Sequence, residues 1–72
     1  MNNLNVAKIQ LNGDPYEVIN GTNLNELLNK LKLQKNKIAI EVNGEIIEKS
    51  KYPNLILSRD DKVEIVHFIG GG

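Results

Sequence analysis

Apolar and polar residues alternate from Ala7 to Leu11, which is the period of a strand with one buried face. The Asn12-Gly13 pair that follows is a strong signal for a two-residue hairpin turn. The next stretch, Tyr16–Ile19, is rich in residues that favour strands. The pattern therefore predicts an N-terminal antiparallel hairpin.

The period then changes to that of a helix, because four leucines follow the i, i+3, i+4, i+7 spacing and fall on one face. These are Leu24, Leu27, Leu28 and Leu31. Asn23 precedes them, and Glu26 three residues later completes the pattern of a capping box. Lysines crowd the far end of this helix: Lys30, Lys32, Lys35 and Lys37. Since cations interact favourably with the exposed carbonyls there, we interpret them as serving helix termination and solubility rather than docking.

Strand-like patterns return in the second half of the chain. Ile38–Val42 alternates again, Asn43-Gly44 repeats the hairpin signal, and Glu45–Glu48 follows as the returning strand. The segment Lys49–Asn54 contains Pro53 and has little periodicity, so we expect a loop or a single helical turn.

Two apolar stretches remain. Leu55–Leu57 predicts an edge strand or a segment that fills the core, and Val63–Phe68 predicts the final strand. One helix must bury its leucine face on the inward residues of one sheet, which is a two-layer α+β arrangement. We expect the first and last strands to be neighbours at the centre of this sheet.

Size and composition exclude several classes of function. A chain of 72 residues forms one domain that buries only about 60% of its unfolded surface, which leaves little stability for a strained catalytic pocket. Nine basic and nine acidic residues are scattered, so no positive footprint for nucleic acid is evident. The sequence has no cysteine, which fits a reducing cytosol, and no apolar stretch long enough for a signal peptide or a membrane span.

The most informative chemical feature is the ending Gly70-Gly71-Gly72, directly after the last apolar strand. A tail without side chains can enter a narrow cleft and present its α-carboxylate as the reacting group. From Ile69 to Gly72 such a tail reaches roughly 13 Å. A carboxylate must be activated before it reacts, for instance as an acyl adenylate. The sequence has no nucleotide-binding motif, so any ATP would belong to a partner protein.

Side chains near this tail suggest docking rather than catalysis. If Val63 and Ile65 face the helix, alternation sends Val66 and Phe68 to the uncovered face of the sheet. Exposed apolar groups there could dock a partner, or they could pack under the 49–54 segment, and the sequence leaves both possibilities open. We assign no catalytic role to His67, and no metal ligand is predicted.

At this point the segments resemble a known family, the ThiS family of sulfur carriers, which has the β-grasp, ubiquitin-like fold. The resemblance covers 7–72 and lies in four segments: Ile9–Gly13, Asn23–Leu28, Ile40–Ile46 and Val63–Gly72. It implies a mixed four- to five-stranded sheet with one helix packed across one face. The implied division is a flexible extension at 1–6, the β-grasp domain at 7–69 and a flexible tail at 70–72.

The resemblance also implies a reaction in which this chain is a substrate. Gly72 would be adenylated by an E1-like, ThiF-like enzyme that uses ATP, and sulfur from a persulfide made by a cysteine desulfurase would replace AMP. The resulting thiocarboxylate would pass its sulfur to a ThiG-like thiazole synthase for thiamine. Gly71 and Gly72 match the reactive pair, and Ile69 and Gly70 match the flexible approach.

Two departures and two rival functions accompany this expectation. Residues 1–6 extend the chain ahead of the usual start of the family and have no implied role. Asp60 stands where relatives often have glycine, and aspartate tolerates the left-handed backbone well enough to keep the turn. The small subunit of molybdopterin synthase, MoaD, shares the implied fold and tail. A ubiquitin-like module that binds protein or RNA is the other rival, and it predicts that loss of Gly71-Gly72 leaves partner affinity unchanged.

Overall fold

The computed structural model describes residues 5–68, which form a five-stranded mixed sheet with one α-helix across one face. The elements are β1 Val6–Leu11, β2 Asp14–Ile19, α1 Leu24–Leu31, β3 Ile38–Val42, β4 Glu45–Ile46 and β5 Lys62–His67. Two 3-10 helices, Lys35–Lys37 and Lys49–Asn54, lie before β3 and after β4. This confirms the predicted fold class. The expected tail at 70–72, Ile69 before it, and residues 1–4 of the expected extension lie outside the described residues.

The strand order is β2-β1-β5-β3-β4, so the first and last strands are central neighbours, as expected. β1 and β5 run parallel, whereas β1 pairs with β2 and β3 pairs with β4 in antiparallel hairpins. In both hairpin turns the backbone has positive φ at two successive residues, 51° and 88° at Asn12-Gly13 and 53° and 86° at Asn43-Gly44. Positive φ at both positions is the geometry that favours Asn-Gly in two-residue hairpins.

Several elements differ from the predictions. β2 begins at Asp14 rather than Tyr16, and β5 spans Lys62–His67 rather than Val63–Phe68. β1 begins at Val6, which pairs with Ile19 and is therefore not part of an N-terminal extension. β4 ends at Ile46, because the chain turns away into the second 3-10 helix soon afterwards. The edge strand considered for Leu55–Leu57 is wrong: Ile56 forms only an isolated bridge with Asn23, and Leu57 is buried.

The helix has the predicted capping box. The Asn23 Oδ1 accepts a hydrogen bond from the Glu26 amide at 2.8 Å, and a Glu26 carboxylate oxygen accepts one from the Asn23 amide at 3.0 Å. Three of its leucines are buried: Leu24, Leu27 and Leu28. The core therefore lies between this helix face and the inward residues of the sheet, closed at one side by Tyr52 and Leu57.

Candidate functional site

The end of β5 is the point from which the C-terminal tail departs. β5 pairs with β3 along five positions, from Val42 opposite Val63 to Ile38 opposite His67. The Phe68 amide then donates a hydrogen bond to the Lys37 carbonyl at 3.0 Å. The chain is thus held by backbone pairing up to Phe68. Ile69, Gly70, Gly71 and Gly72 lie outside the described residues, and their roles stay predictions.

Two asparagines from the hairpin turns hold β5 from opposite sides. The Ile65 amide donates to the Asn12 Oδ1 at 2.8 Å, which extends the β1–β5 ladder beyond the end of β1. The Lys62 amide donates to the Asn43 Oδ1 at 2.9 Å. Sequence reasoning identified both residues as turn formers and missed these contacts, because each links residues far apart in the chain.

The turn before β5 is built on Asp60 and Asp61. Asp60 has a φ of 71°, so it does adopt the left-handed conformation, and its amide donates to the Lys8 carbonyl at 2.9 Å. The Asp61 carboxylate accepts from the Ser58 amide at 2.8 Å and from the Asn43 side-chain amide at 3.0 Å. Within residues 5–68, no group of three His, Cys, Asp or Glu residues is arranged to hold a metal ion.

The two predicted docking residues face away from the helix. Val63 and Ile65 are buried, whereas Val66 is 58% exposed and Phe68 is 56% exposed. Phe68 also contacts the second 3-10 helix, since the Lys49 Nζ lies 5.5 Å from the centroid of its ring. The exposure expected from alternation is confirmed, and packing against the 49–54 segment covers Phe68 only in part.

Two further features among residues 5–68 are His67 and a cleft beside the helix. His67 is exposed at the end of β5. A cleft of about 350 Å³ lies beside the start of the helix, but its polar side chains already serve the fold. The Thr22 Oγ1 donates to the Ile19 carbonyl, and Glu26 caps the helix. None of the helices among residues 5–68 is long and apolar enough to cross a membrane.

Comparison with protein families and curated proteins shows where this arrangement recurs. The ThiS family model matches residues 9–72. The sulfur carrier protein ThiS of Bacillus subtilis is 38% identical over 65 residues, which cover 89% of this chain and 98% of that protein. The thiazole synthase of Magnetococcus marinus is 43% identical over 65 residues, 90% of this chain but 20% of the synthase. This chain therefore spans about a fifth of the length of that synthase.

A solved structure shares the fold. The crystal structure of a thiamine biosynthesis protein (ThiS) from Geobacter metallireducens superposes with a TM-score of 0.78 at 34% identity, covering 90% of this chain and 99% of that one. An uncharacterized protein, ycf40, from Porphyra purpurea is 36% identical over 72 residues and is matched along its whole length.

Proposed function

The chain belongs to the ThiS family of sulfur carriers in thiamine biosynthesis, and we propose that Gly72 is the residue that carries the sulfur. The observation that carries this proposal is that the family match extends to Gly72 and so includes the terminal glycines. The anchoring of β5 up to Phe68 supports it, because a short tail needs a fixed origin from which to reach a partner's cleft.

The proposed chemistry proceeds in three steps. A Gly72 carboxylate oxygen attacks the α-phosphate of ATP on a ThiF-like enzyme, which forms the acyl adenylate and releases pyrophosphate. The terminal sulfur of a persulfide, supplied by a cysteine desulfurase, then attacks the acyl carbon and AMP leaves. A thiol reduces the resulting acyl disulfide at its S–S bond, which frees the thiocarboxylate and leaves the donor and the thiol joined as a disulfide.

In this proposal the chain is a co-substrate and not an enzyme. ATP and the persulfide are bound by the partners, since the sequence has no nucleotide-binding motif and no cysteine. A ThiG-like thiazole synthase is the proposed acceptor of the sulfur. The occurrence of a similar segment within thiazole synthase chains supports that pairing. The lack of cysteine in the sequence supports a cytosolic location.

Val66 and Phe68 are the proposed docking residues for the adenylating enzyme. They form an exposed apolar surface directly before the tail, and a partner that takes in the tail must cover the surface from which the tail departs. Backbone ordering of the tail costs about 1–2 kcal/mol per residue, so burial of these side chains would help to offset it.

Intact-mass spectrometry tests the proposal. After incubation with a ThiF-like enzyme, ATP and a persulfide donor, we expect the C-terminal fragment to gain the mass that corresponds to replacement of one oxygen by sulfur. A variant without Gly71 and Gly72 should remain folded and unmodified. An unchanged mass, with an enzyme shown to be active on its own carrier, would contradict the proposal.

The sulfur acceptor is tested separately with the thiocarboxylated protein. Sulfur transfer to a thiazole synthase is the expected result. Transfer to the large subunit of molybdopterin synthase instead would assign the chain to the MoaD-like function. An interaction module is indicated if deletion of the last two glycines changes neither partner affinity nor cellular role.

A further inference from the structure

Positive charge collects around the point at which the tail leaves the domain. Three exposed or half-buried lysines, called here the tail-root lysines, lie there: Lys35, Lys37 and Lys49. The Lys37 carbonyl accepts a hydrogen bond from the Phe68 amide, and the Lys49 ammonium lies over the Phe68 ring. Lys35 belongs to the same 3-10 helix as Lys37. Lys37 and Lys49 therefore flank the last residue that the sheet holds, and Lys35 lies two positions before Lys37 in the chain.

These charges are not neutralised within the described residues. Within the described part of the chain, the ion pair found joins Arg59 and Asp60, at the opposite end of β5. The Lys30 ammonium, like that of Lys49, lies over an aromatic ring, and it also donates a hydrogen bond to the Glu17 carbonyl at 3.5 Å. The tail-root lysines thus leave a local excess of positive charge in a chain whose net charge is zero.

Acidic residues collect toward the other end of the same strand. Asp60 and Asp61 precede β5, and Glu64 lies opposite Glu41 in the β3–β5 ladder. A six-residue strand is about 20 Å long, so this acidic end is well separated from the tail. Glu48 is the exposed acidic neighbour of Lys49 in the chain. Arg59 and Lys62 lie beside the carboxylates at the start of β5, so that end of β5 carries charges of both signs.

Helix termination does not explain the tail-root lysines. The helix ends at Leu31, and Lys32 completes it with its amide bonded to the Asn29 and Leu28 carbonyls. The field of a helix terminus acts within about one turn, so it accounts for Lys30 and Lys32. The three tail-root lysines lie in the two 3-10 helices, so the end of α1 does not account for their positions.

We propose that the tail-root lysines dock on an acidic rim around the cleft of the adenylating enzyme that receives the tail. This inference rests on the proposed function. Because the tail spans only roughly 13 Å, the enzyme surface around that cleft must approach Phe68 closely and face Lys37 and Lys49. Complementary charges at the rim of an interface mainly raise the association rate and set the orientation of the partners.

The test compares two double variants with the same loss of charge. Lys35→Gln/Lys37→Gln removes two tail-root charges, and Lys8→Gln/Arg59→Gln removes two exposed charges far from the tail. We expect the tail-root double variant to raise the KM for adenylation on the order of tenfold, as two rim contacts of about 0.7 kcal/mol each would. Its kcat should stay within about twofold of wild type, since rim contacts do not touch the reacting atoms.

Salt provides a second readout that a change in folding would not produce. The wild-type KM should rise with sodium chloride, and the KM of the tail-root double variant should rise less steeply. Pyrophosphate release measures both parameters, and thermal unfolding checks that each variant is folded. The distal double variant should match wild type in KM and in salt dependence.

Three outcomes overturn the docking proposal. Equal KM values for both double variants, with normal turnover, overturn it and leave the carrier function intact. RNA binding that is lost only in the tail-root variant, with an unchanged KM, would assign these lysines to nucleic acid. A wild-type protein that the active enzyme does not adenylate overturns the docking proposal together with the carrier function.

Discussion

Among residues 5–68, four residues other than glycine adopt positive φ: Asn12, Lys32, Asn43 and Asp60. Three of them are Asn or Asp, whose short polar side chains tolerate this conformation. For these the residue type and its neighbours were enough to predict a turn. Lys32 has no such preference, and its conformation follows from the end of the helix, where its amide bonds to Asn29 and Leu28.

Asn12 has a second role that its local sequence did not reveal. Its Oδ1 takes the place of a backbone carbonyl and accepts from the Ile65 amide, which lies in the partly buried middle of β5. We expect Asn12→Gly to lower the free energy of unfolding by about 1–3 kcal/mol, because glycine keeps the turn but leaves this amide without its acceptor. Asn12→Asp keeps both turn preference and acceptor and should lose less. Urea unfolding measures both, and a glycine variant as stable as wild type would refute the role.

At the scale of the element, the second 3-10 helix contributes a core residue that the sequence pattern did not predict. The sequence predicted a loop or helical turn over Lys49–Asn54, and the structure confirms a helical segment. Its Tyr52 is fully buried and packs in the core with the leucines of α1. The Tyr52 hydroxyl has no hydrogen-bond partner in residues 5–68. Burial raises the pKa of Tyr52. The nearby Ile40 backbone lowers it in part, although the hydroxyl and that backbone are not in hydrogen-bonding geometry.

Paired substitutions separate the ring of Tyr52 from its hydroxyl. Tyr52→Ala should cost about 3–5 kcal/mol of stability because it leaves a large cavity in a small core. Tyr52→Phe should be neutral or slightly stabilising, since it removes a buried polar group that is not hydrogen-bonded. Chemical denaturation compares the two variants. A large loss in the phenylalanine variant would show that the hydroxyl has a partner.

The raised pKa of Tyr52 predicts that the stability of the protein depends on pH. In the unfolded chain tyrosine ionises near pH 10, whereas in the folded protein its pKa is higher. As the pH rises, the unfolded state therefore loses this proton before the folded state does. The contribution of Tyr52 to the free energy of unfolding is constant below about pH 10 and declines as the pH rises through the folded pKa. The stability difference between wild type and Tyr52→Phe should shift against wild type above that pH.

At the scale of the whole molecule, one face of the sheet is covered by the helix and the other is open. Val66 lies on the open face beside the start of the tail, and Ile19 lies on the same face at its distant edge. The open face as such was expected from the single predicted helix. If a partner takes in the tail, we expect it to cover the apolar residues of this face that lie nearest the tail.

Threonine substitutions on this face test the docking surface. Val66→Thr keeps the branched shape and removes apolar surface, so it should raise the KM for adenylation several-fold, on the scale of about 1 kcal/mol, with unfolding little changed. Ile19→Thr is the matched control and should leave KM unchanged. Equal KM values in the two variants would place docking elsewhere.

The sequence by itself determined the helix and strands, both Asn-Gly turns, the capping box and the glycine ending, because each depends on residues that are close together in the chain. Only the tertiary structure decided that Asn12 bonds to Ile65, that Tyr52 fills the core and that Lys37 and Lys49 flank Phe68. Such contacts join segments that are far apart in the chain and that strand order brings together. Local periodicity indicates which residues form a strand or a helix, but it does not give the side-chain contacts between distant elements.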